Sequence, residues 1–252
     1  MIRVAAAGDL HAGTDAAGTI REGFEHIEQQ ADVLVLAGDL TRRGLVEEAA
    51  VLVEELGDVG IPKVAVLGNH DHHSGRQEAV TEVLEEGGIR VLEGEGMVVD
   101  LPGGRLGIAG VKGFGGGFPG ANATEFGEEE MKAFIRHTHV VSEQLGKALD
   151  GIRDADLRIA LTHYAPVEQT LAGERLEIFP FLGSYLLAEA ADASGADLMI
   201  HGHAHKGREK GITPGGIHVR NVALPVINRT YALYCLGDDP AGPECDPPGH
   251  AR

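Results

Sequence analysis

The chain is poor in positive charge, in cysteine and in long apolar runs. Its 252 residues carry 21 lysines and arginines against 39 aspartates and glutamates, a formal net charge of -18 at pH 7. That balance excludes a general long-range attraction to nucleic-acid backbones or anionic membranes, so no nonspecific nucleic-acid binding is expected. An anionic ligand would need a locally cationic site, which a metal cluster can provide. Two cysteines, Cys235 and Cys245, are too few for a disulfide framework or a zinc ribbon and read as two unrelated thiols. No apolar run reaches the roughly 18 residues of a membrane span. Arg3 is followed by just four apolar residues before Gly8-Asp9, so no signal peptide is expected and a cytoplasmic protein is the default. No repeat of fixed period is present, and nothing in the sequence indicates the oligomeric state.

What is present is a core and a recurring grammar. At 43% hydrophobic composition the chain can bury one large domain, expected over residues 1–237. The remainder, 238–252, is rich in proline, glycine and charge and reads as a mobile tail. Five apolar runs each stop at a small or hydroxyl residue and then deliver metal-type side chains. Val4 to Gly8 leads to Asp9 and His11, Val33 to Gly38 leads to Asp39, and Lys63 to Gly68 leads to Asn69, His70 and Asp71. Ile159 to Thr162 leads to His163, and Leu198 to Gly202 leads to His203 and His205. Buried strands emptying into one site account for this pattern.

Between these runs the spacing predicts helices over 21–30, 46–56, 76–86, 128–149 and 185–193, an alternation typical of strands crossing back through helices. Short strands at 89–92, 97–101 and 105–109, separated by glycine-rich turns, read as antiparallel pairing in a second sheet. Residues 113–120 read as a loop too flexible for regular structure; lacking the Lys-Ser/Thr ending, it is not a phosphate-binding P-loop. The segment 167–183 carries exposed-looking Leu171, Ile178, Phe179 and Phe181. Both stretches, 113–126 and 167–183, are where substrate specificity would lie. His137 and His139, two apart on a helix, face different ways and are poor co-ligands.

The donors Asp9, His11, Asp39, Asn69, His163, His203 and His205 are too many for one tetrahedral ion. They suit two ions of higher coordination, with Asp39 as the natural bridge because a carboxylate has two oxygens. Mixed nitrogen and oxygen donors admit Mn, Fe or Zn, divalent or trivalent, without choosing among them. Two divalent ions bring about +4, and two aspartates with a bridging hydroxide remove about three, leaving a positive pocket. Such a pocket fits a phosphoryl group attacked in line by the bridging hydroxide. His70 is placed to protonate the leaving alkoxide, and Asp71 to orient its ring.

These residues fall into Gly-Asp-x-His at 8–11, Gly-Asp-x-x-Arg at 38–42, Gly-Asn-His-Asp at 68–71, a solitary His163, and Gly-His-x-His at 202–205. In this order the set resembles the calcineurin-like metallophosphoesterase superfamily. The resemblance implies an α/β fold of four layers, α-β-β-α, in which two mixed β-sheets lie between helices with the site at the strand ends. It implies Asp9, His11 and His205 on one ion, Asn69, His163 and His203 on the other, Asp39 between them, and His70 as a phosphate-contacting general acid. Arg42 would support the site, with Arg43 competing for that role and His72 and His73 on the rim. The expected activity is hydrolysis of a small phosphomonoester or phosphodiester, a nucleotide included. The alternatives are a nuclease, which would want a basic track, and a non-catalytic scaffold for a protein partner, which would tend to lose the ligands and the histidine that stand here.

Overall fold

The computed structural model describes residues 1–237 and Cys245. The expected mobile tail, 238–252, lies outside the described residues apart from that cysteine. In chain order the strands of the first half are β1 (Ile2–Ala7), β2 (Val33–Ala37), β3 (Lys63–Val66), β4 (Ile89–Val91), β5 (Glu95–Leu101) and β6 (Gly104–Val111). Then come β7 (Gly117–Phe118), β8 (Ala121–Asn122), β9 (Leu157–Thr162), β10 (Leu198–His201), β11 (Lys210–Ile212), β12 (His218–Asn221) and β13 (Ala232–Leu236). The helices are α1 (Ile27–Gln30), α2 (Val46–Glu55), α3 (Gln77–Glu86), α4 (Glu129–Gly151), α5 (Phe179–Leu182), α6 (Tyr185–Ser194) and α7 (Leu224–Ile227).

Two mixed sheets face each other, one ordered β13-β1-β2-β3-β4 and the other β11-β12-β10-β9-β6-β5. Period-two alternation decides which side chains go where. Val33, Val35 and Ala37 of β2 point inward to meet Ile108, Ile159 and Ile200 of the second sheet. Leu34 and Leu36 point outward, under Leu52 of α2 and Leu84 of α3. On the far side, Ala109, Ala160 and Met199 lie beneath Leu145 and Leu149 of α4 and Leu187 of α6. Three apolar interfaces therefore separate four layers, as the resemblance implied. Each fully buried leucine or isoleucine contributes about 1.5–3 kcal/mol relative to exposure.

Several local readings need correction. The helix expected over 21–30 is broken into a 3-10 turn (Arg21–Phe24) and α1, because Glu25 is extended and His26 is left-handed at φ 64°. Strand β4 pairs parallel with β3 in the first sheet, whereas β5 and β6 form the antiparallel hairpin. The glycine-rich stretch after β6 does take up regular structure: β7 pairs with β8, and Phe118 is buried. The amides of Gly116 and Gly117 donate to the carbonyls of Pro180 and Gly183 (2.7 and 2.8 Å), so the two expected specificity segments pack on each other. Leu171 is fully buried there, while Phe181 is 61% exposed.

Cys235 and Cys245 are not unrelated thiols: they form a disulfide with Cα atoms 5.1 Å apart. Cys235 lies on β13 and Cys245 comes back beside it, a return that cysteine spacing does not reveal. Lasting bridges of this kind are commonest in oxidising compartments. No helix among the described residues is long and apolar enough to cross a membrane.

Candidate metal centre

Strands β1, β2, β3 and β4 run parallel, as do β6, β9, β10 and β12. Their carboxyl ends therefore open along one edge of each sheet, where α/β proteins commonly place their sites. Five of these ends carry the seven expected donors. The two sheets are tied there by polar contacts that cross the fold: the His163 Nδ1–H donates to the Ala37 carbonyl (2.8 Å), and the His203 amide to Asp9 Oδ2 (2.9 Å).

The donors fall into neighbouring groups. Asp9, His11 and His205 place one ligand atom each within 4.8 Å of one another, and so do Asp39, His163 and His203. A third group, His11, Asp39 and His70, spans the two. Asp39 lies at the centre, its carboxylate 3.3 Å from His163 Nε2, 3.8 Å from His11 Nε2 and 4.0 Å from His70 Nε2. Asn69 Oδ1 is 3.0 Å from His163 Nε2. Asp9 and Asp39 are each 2% exposed, so their charges face the imidazoles rather than bulk water.

Hydrogen bonds to backbone carbonyls fix where the lone pairs point. With Nδ1–H committed to Ala37, the His163 Nε2 lone pair faces the oxygens of Asp39 and Asn69. His203 Nε2–H donates to the Phe181 carbonyl (3.2 Å), which leaves its lone pair on Nδ1. This is the arrangement that orients imidazole ligands. Burial, with the nearby His163 next, lowers His203 to about 3, so it is neutral and free to donate at pH 7. Burial also lowers His11. The hydrogen bond to Asp9 (2.8 Å) raises His205 instead. Burial pushes the Asp9 carboxyl up, but His205, His163 and the His203 amide together bring it below the ordinary range.

Lone pairs converging from carboxylates, an amide and imidazoles fit cations. The backbone agrees. Among the described residues six non-glycine positions have positive φ, and four of them are Asp9 (58°), His11 (46°), Asp39 (49°) and His203 (71°). Left-handed backbone costs about 1 kcal/mol or more at such residues and gathers at functional sites. The flanking glycines make room: a Cβ at Gly68 would collide with the Asp39 carboxylate, and one at Gly202 with that of Asp9.

Two expected roles come out differently. Asp71 does not reach the His70 ring. Its buried carboxylate accepts from the amides of Leu40, Thr41 and Gly68 (3.1, 2.8 and 2.8 Å) and the Thr41 hydroxyl (2.6 Å), pinning the loop after β2 to the loop after β3. The His70 ring is held by the Arg42 carbonyl, 2.8 Å from Nδ1, leaving Nε2 toward the cluster. The Arg42 guanidinium itself pairs with Asp15 at 2.9 Å. On the rim, His72 has a buried Nε2 without a hydrogen-bond partner, and burial with the charge of Lys112 lowers it to about 4; His73 is exposed. His137 and His139 join no group able to share an ion among the described residues.

Sequence reasoning missed Lys112. It is the residue after β6, hence one strand along from His163, and its carbonyl accepts the amides of His163 and Tyr164 (2.9 and 3.1 Å). The signal was the same apolar-run-then-polar grammar, overlooked because the strand was ended at Ala109 when it continues to Val111.

The fold has solved counterparts across nearly its whole length. Phosphopantetheinyl hydrolase from Mycobacterium tuberculosis superposes with a TM-score of 0.68 at 16% identity, covering 94% of this chain and 96% of its own. The protein TT1561 of Thermus thermophilus gives 0.61 at 18% identity, covering 92% and 93%. A dimetal phosphatase from Danio rerio gives 0.55 at 12% identity, covering 94% and 93%. No curated protein matches the chain in sequence. The family model for calcineurin-like phosphoesterases matches residues 2–207, which takes in all five strand ends that carry the donors, and the chain belongs to that family.

Proposed function

We propose that the protein is a dinuclear metal-dependent phosphoric ester hydrolase acting on a small phosphomonoester or phosphodiester. The observation that carries this reading is the pair of adjoining donor groups, Asp9/His11/His205 and Asp39/His163/His203, with Asp39 also within reach of His11 and His70. One ion would be held by Asp9, His11 and His205, the other by Asn69, His163 and His203, with Asp39 serving both. Bound there, two Mn, Fe or Zn ions would supply Lewis acidity toward a phosphoryl oxygen and acidify the attacking water.

The chain's own residues do the rest. The Arg42 carbonyl keeps Nδ1 of His70 protonated and turns Nε2 toward Asp39. From there His70, when its ring carries a proton on both nitrogens, delivers the Nε2 proton to the departing oxygen and remains as the Nδ1–H neutral ring, a contribution of about 10²–10⁴ in rate for a positioned general acid. Asp71 acts one step back, by holding the loops that carry Asp39 and His70 in mutual register. Lys112, one strand from His163, adds positive charge on the sheet-edge side of the cleft.

The test is to load the protein with Mn, confirm two ions per chain by elemental analysis, and assay p-nitrophenyl phosphate and bis-p-nitrophenyl phosphate. Turnover of either supports the reading, and the ratio of the two separates monoesterase from diesterase. Absence of turnover with both, by protein holding two ions, would favour a non-catalytic scaffold.

A further inference from the structure

Lys112 stands where a charged side chain is costly, and its ammonium lies over rings instead of against a carboxylate. It is 5.1 Å from the Tyr164 ring centroid and 5.2 Å from that of Phe114. It spends one hydrogen bond, on the Gly113 carbonyl at 3.1 Å, so two of its three donors are uncommitted. Glu93, the acid whose charge bears most on Lys112, accepts from its backbone amide (3.2 and 3.4 Å) and not from the ammonium. In a chain with 39 acidic residues, a half-buried lysine held over aromatic faces keeps its charge available to something else.

Its location says what that is. The Tyr164 ring that carries the ammonium also lies 4.5 Å, centroid to centroid, from the ring of His203. Phe114 extends the same shelf, 4.9 Å from Phe134 and 4.5 Å from His137. An anion seated at the metal cluster thus has a cation with free donors one aromatic ring away, fixed to the cluster through the Lys112 carbonyl and the amide of His163.

Resting on the phosphoesterase reading above, we propose that Lys112 is a specificity-determining subsite for a second anionic group, so that preferred substrates carry a phosphoryl or carboxylate group beside the scissile phosphoester. Neutral-tailed phosphoesters would use the metals alone and gain nothing from it.

Binding tests this without turnover. Mn-loaded protein, freed of excess ion, is titrated calorimetrically with methylphosphonate and with methylenebisphosphonate, and elemental analysis after each titration checks that both ions stay. The expected result is a preference for the bisphosphonate of about tenfold or more, as befits a charge-assisted contact. Lys112→Met, which keeps the stem over the rings, should cut that preference at least about fivefold, and Lys112→Arg should retain it; Lys112→Gln repeats the test if the methionine variant does not fold. A preference near unity in the native protein, or one that Lys112→Met leaves untouched, overturns the subsite while leaving the phosphoesterase reading standing. Failure of native, metal-loaded protein to bind even methylphosphonate would overturn both.

Discussion

The backbone amide of His70 donates to Asp39 Oδ1 over 2.8 Å, fastening the turn after β3 to the turn after β2 through the carboxylate that three imidazoles approach. Asp39 is thereby oriented by the residue that follows the amide donor Asn69. Its second oxygen, Oδ2, is the one facing His11 and His70. Replacing Asp39 with asparagine removes a charge and one lone-pair direction while keeping the shape. Asp39→Asn should therefore hold fewer than two ions per chain by elemental analysis; retention of both would discredit a shared carboxylate.

His70 and Arg42 separate on mutation. His70→Ala should keep both ions yet lose about 10²–10⁴ in kcat. Arg42 touches the His70 ring through its carbonyl, which survives any side-chain change, and its guanidinium is spent on Asp15. Arg42→Ala should then stay within about tenfold of native kcat/KM, roughly the effect of losing one exposed ion pair and some packing. A loss as large as that of His70→Ala would show that the guanidinium acts in the site.

Asp71→Asn places an amide where four donors already point. At least one N–H then meets an NH₂ group in a fully buried setting. Urea unfolding of the metal-free protein should show a loss of about 2–4 kcal/mol. An unchanged midpoint would mean that the loop contacts do not bear on stability.

Gly68→Ala should act on Asp39 from behind. The added methyl would occupy the space of the carboxylate, so one of the two must move. Weakened metal retention during dialysis against a mild chelator, with far-UV circular dichroism unchanged, is the expected signature. Gly151 has open space around its Cβ position and no positive φ, so Gly151→Ala is the glycine-to-alanine control without a collision.

His201, buried at the end of β10, donates from Nδ1 to the Gly202 carbonyl (2.7 Å) and takes the Thr170 hydroxyl at Nε2 (2.9 Å). Burial lowers it from 6.5 to about 4. Protonation thus favours the unfolded chain: the full contribution is present above pH 6.5 and is lost as pH falls toward 4. The amount is on the order of 3 kcal/mol. His203 shifts in the same direction, so metal-free native protein should lose stability steeply over this window, and His201→Gln should flatten part of the slope. Equal slopes for the two proteins would remove His201 as a contributor.

How much of this was legible beforehand differs from element to element. The runs at 4–7, 33–37, 63–66, 159–162 and 198–200 announced themselves because strands buried on both faces are apolar throughout, and residues placed just beyond them must lie at a sheet edge. The helix over 21–30 failed because His26 and Glu25 leave helical backbone in a way that side-chain spacing does not record. Lys112 was passed over by two residues of strand length.

The amino-acid order alone determined the α/β class, the five strand ends and the donor chemistry they deliver, since these follow from hydrophobic periodicity and from what each side chain can offer. Tertiary structure alone decided which carbonyls hold His70, His163 and His203, that Asp71 braces loops and does not touch His70, that Arg42 contributes its backbone and that Cys235 meets Cys245. Each of those depends on the approach of segments distant in sequence, 126 residues apart for His163 and Ala37, and a pattern read along the chain contains no information about distances across it.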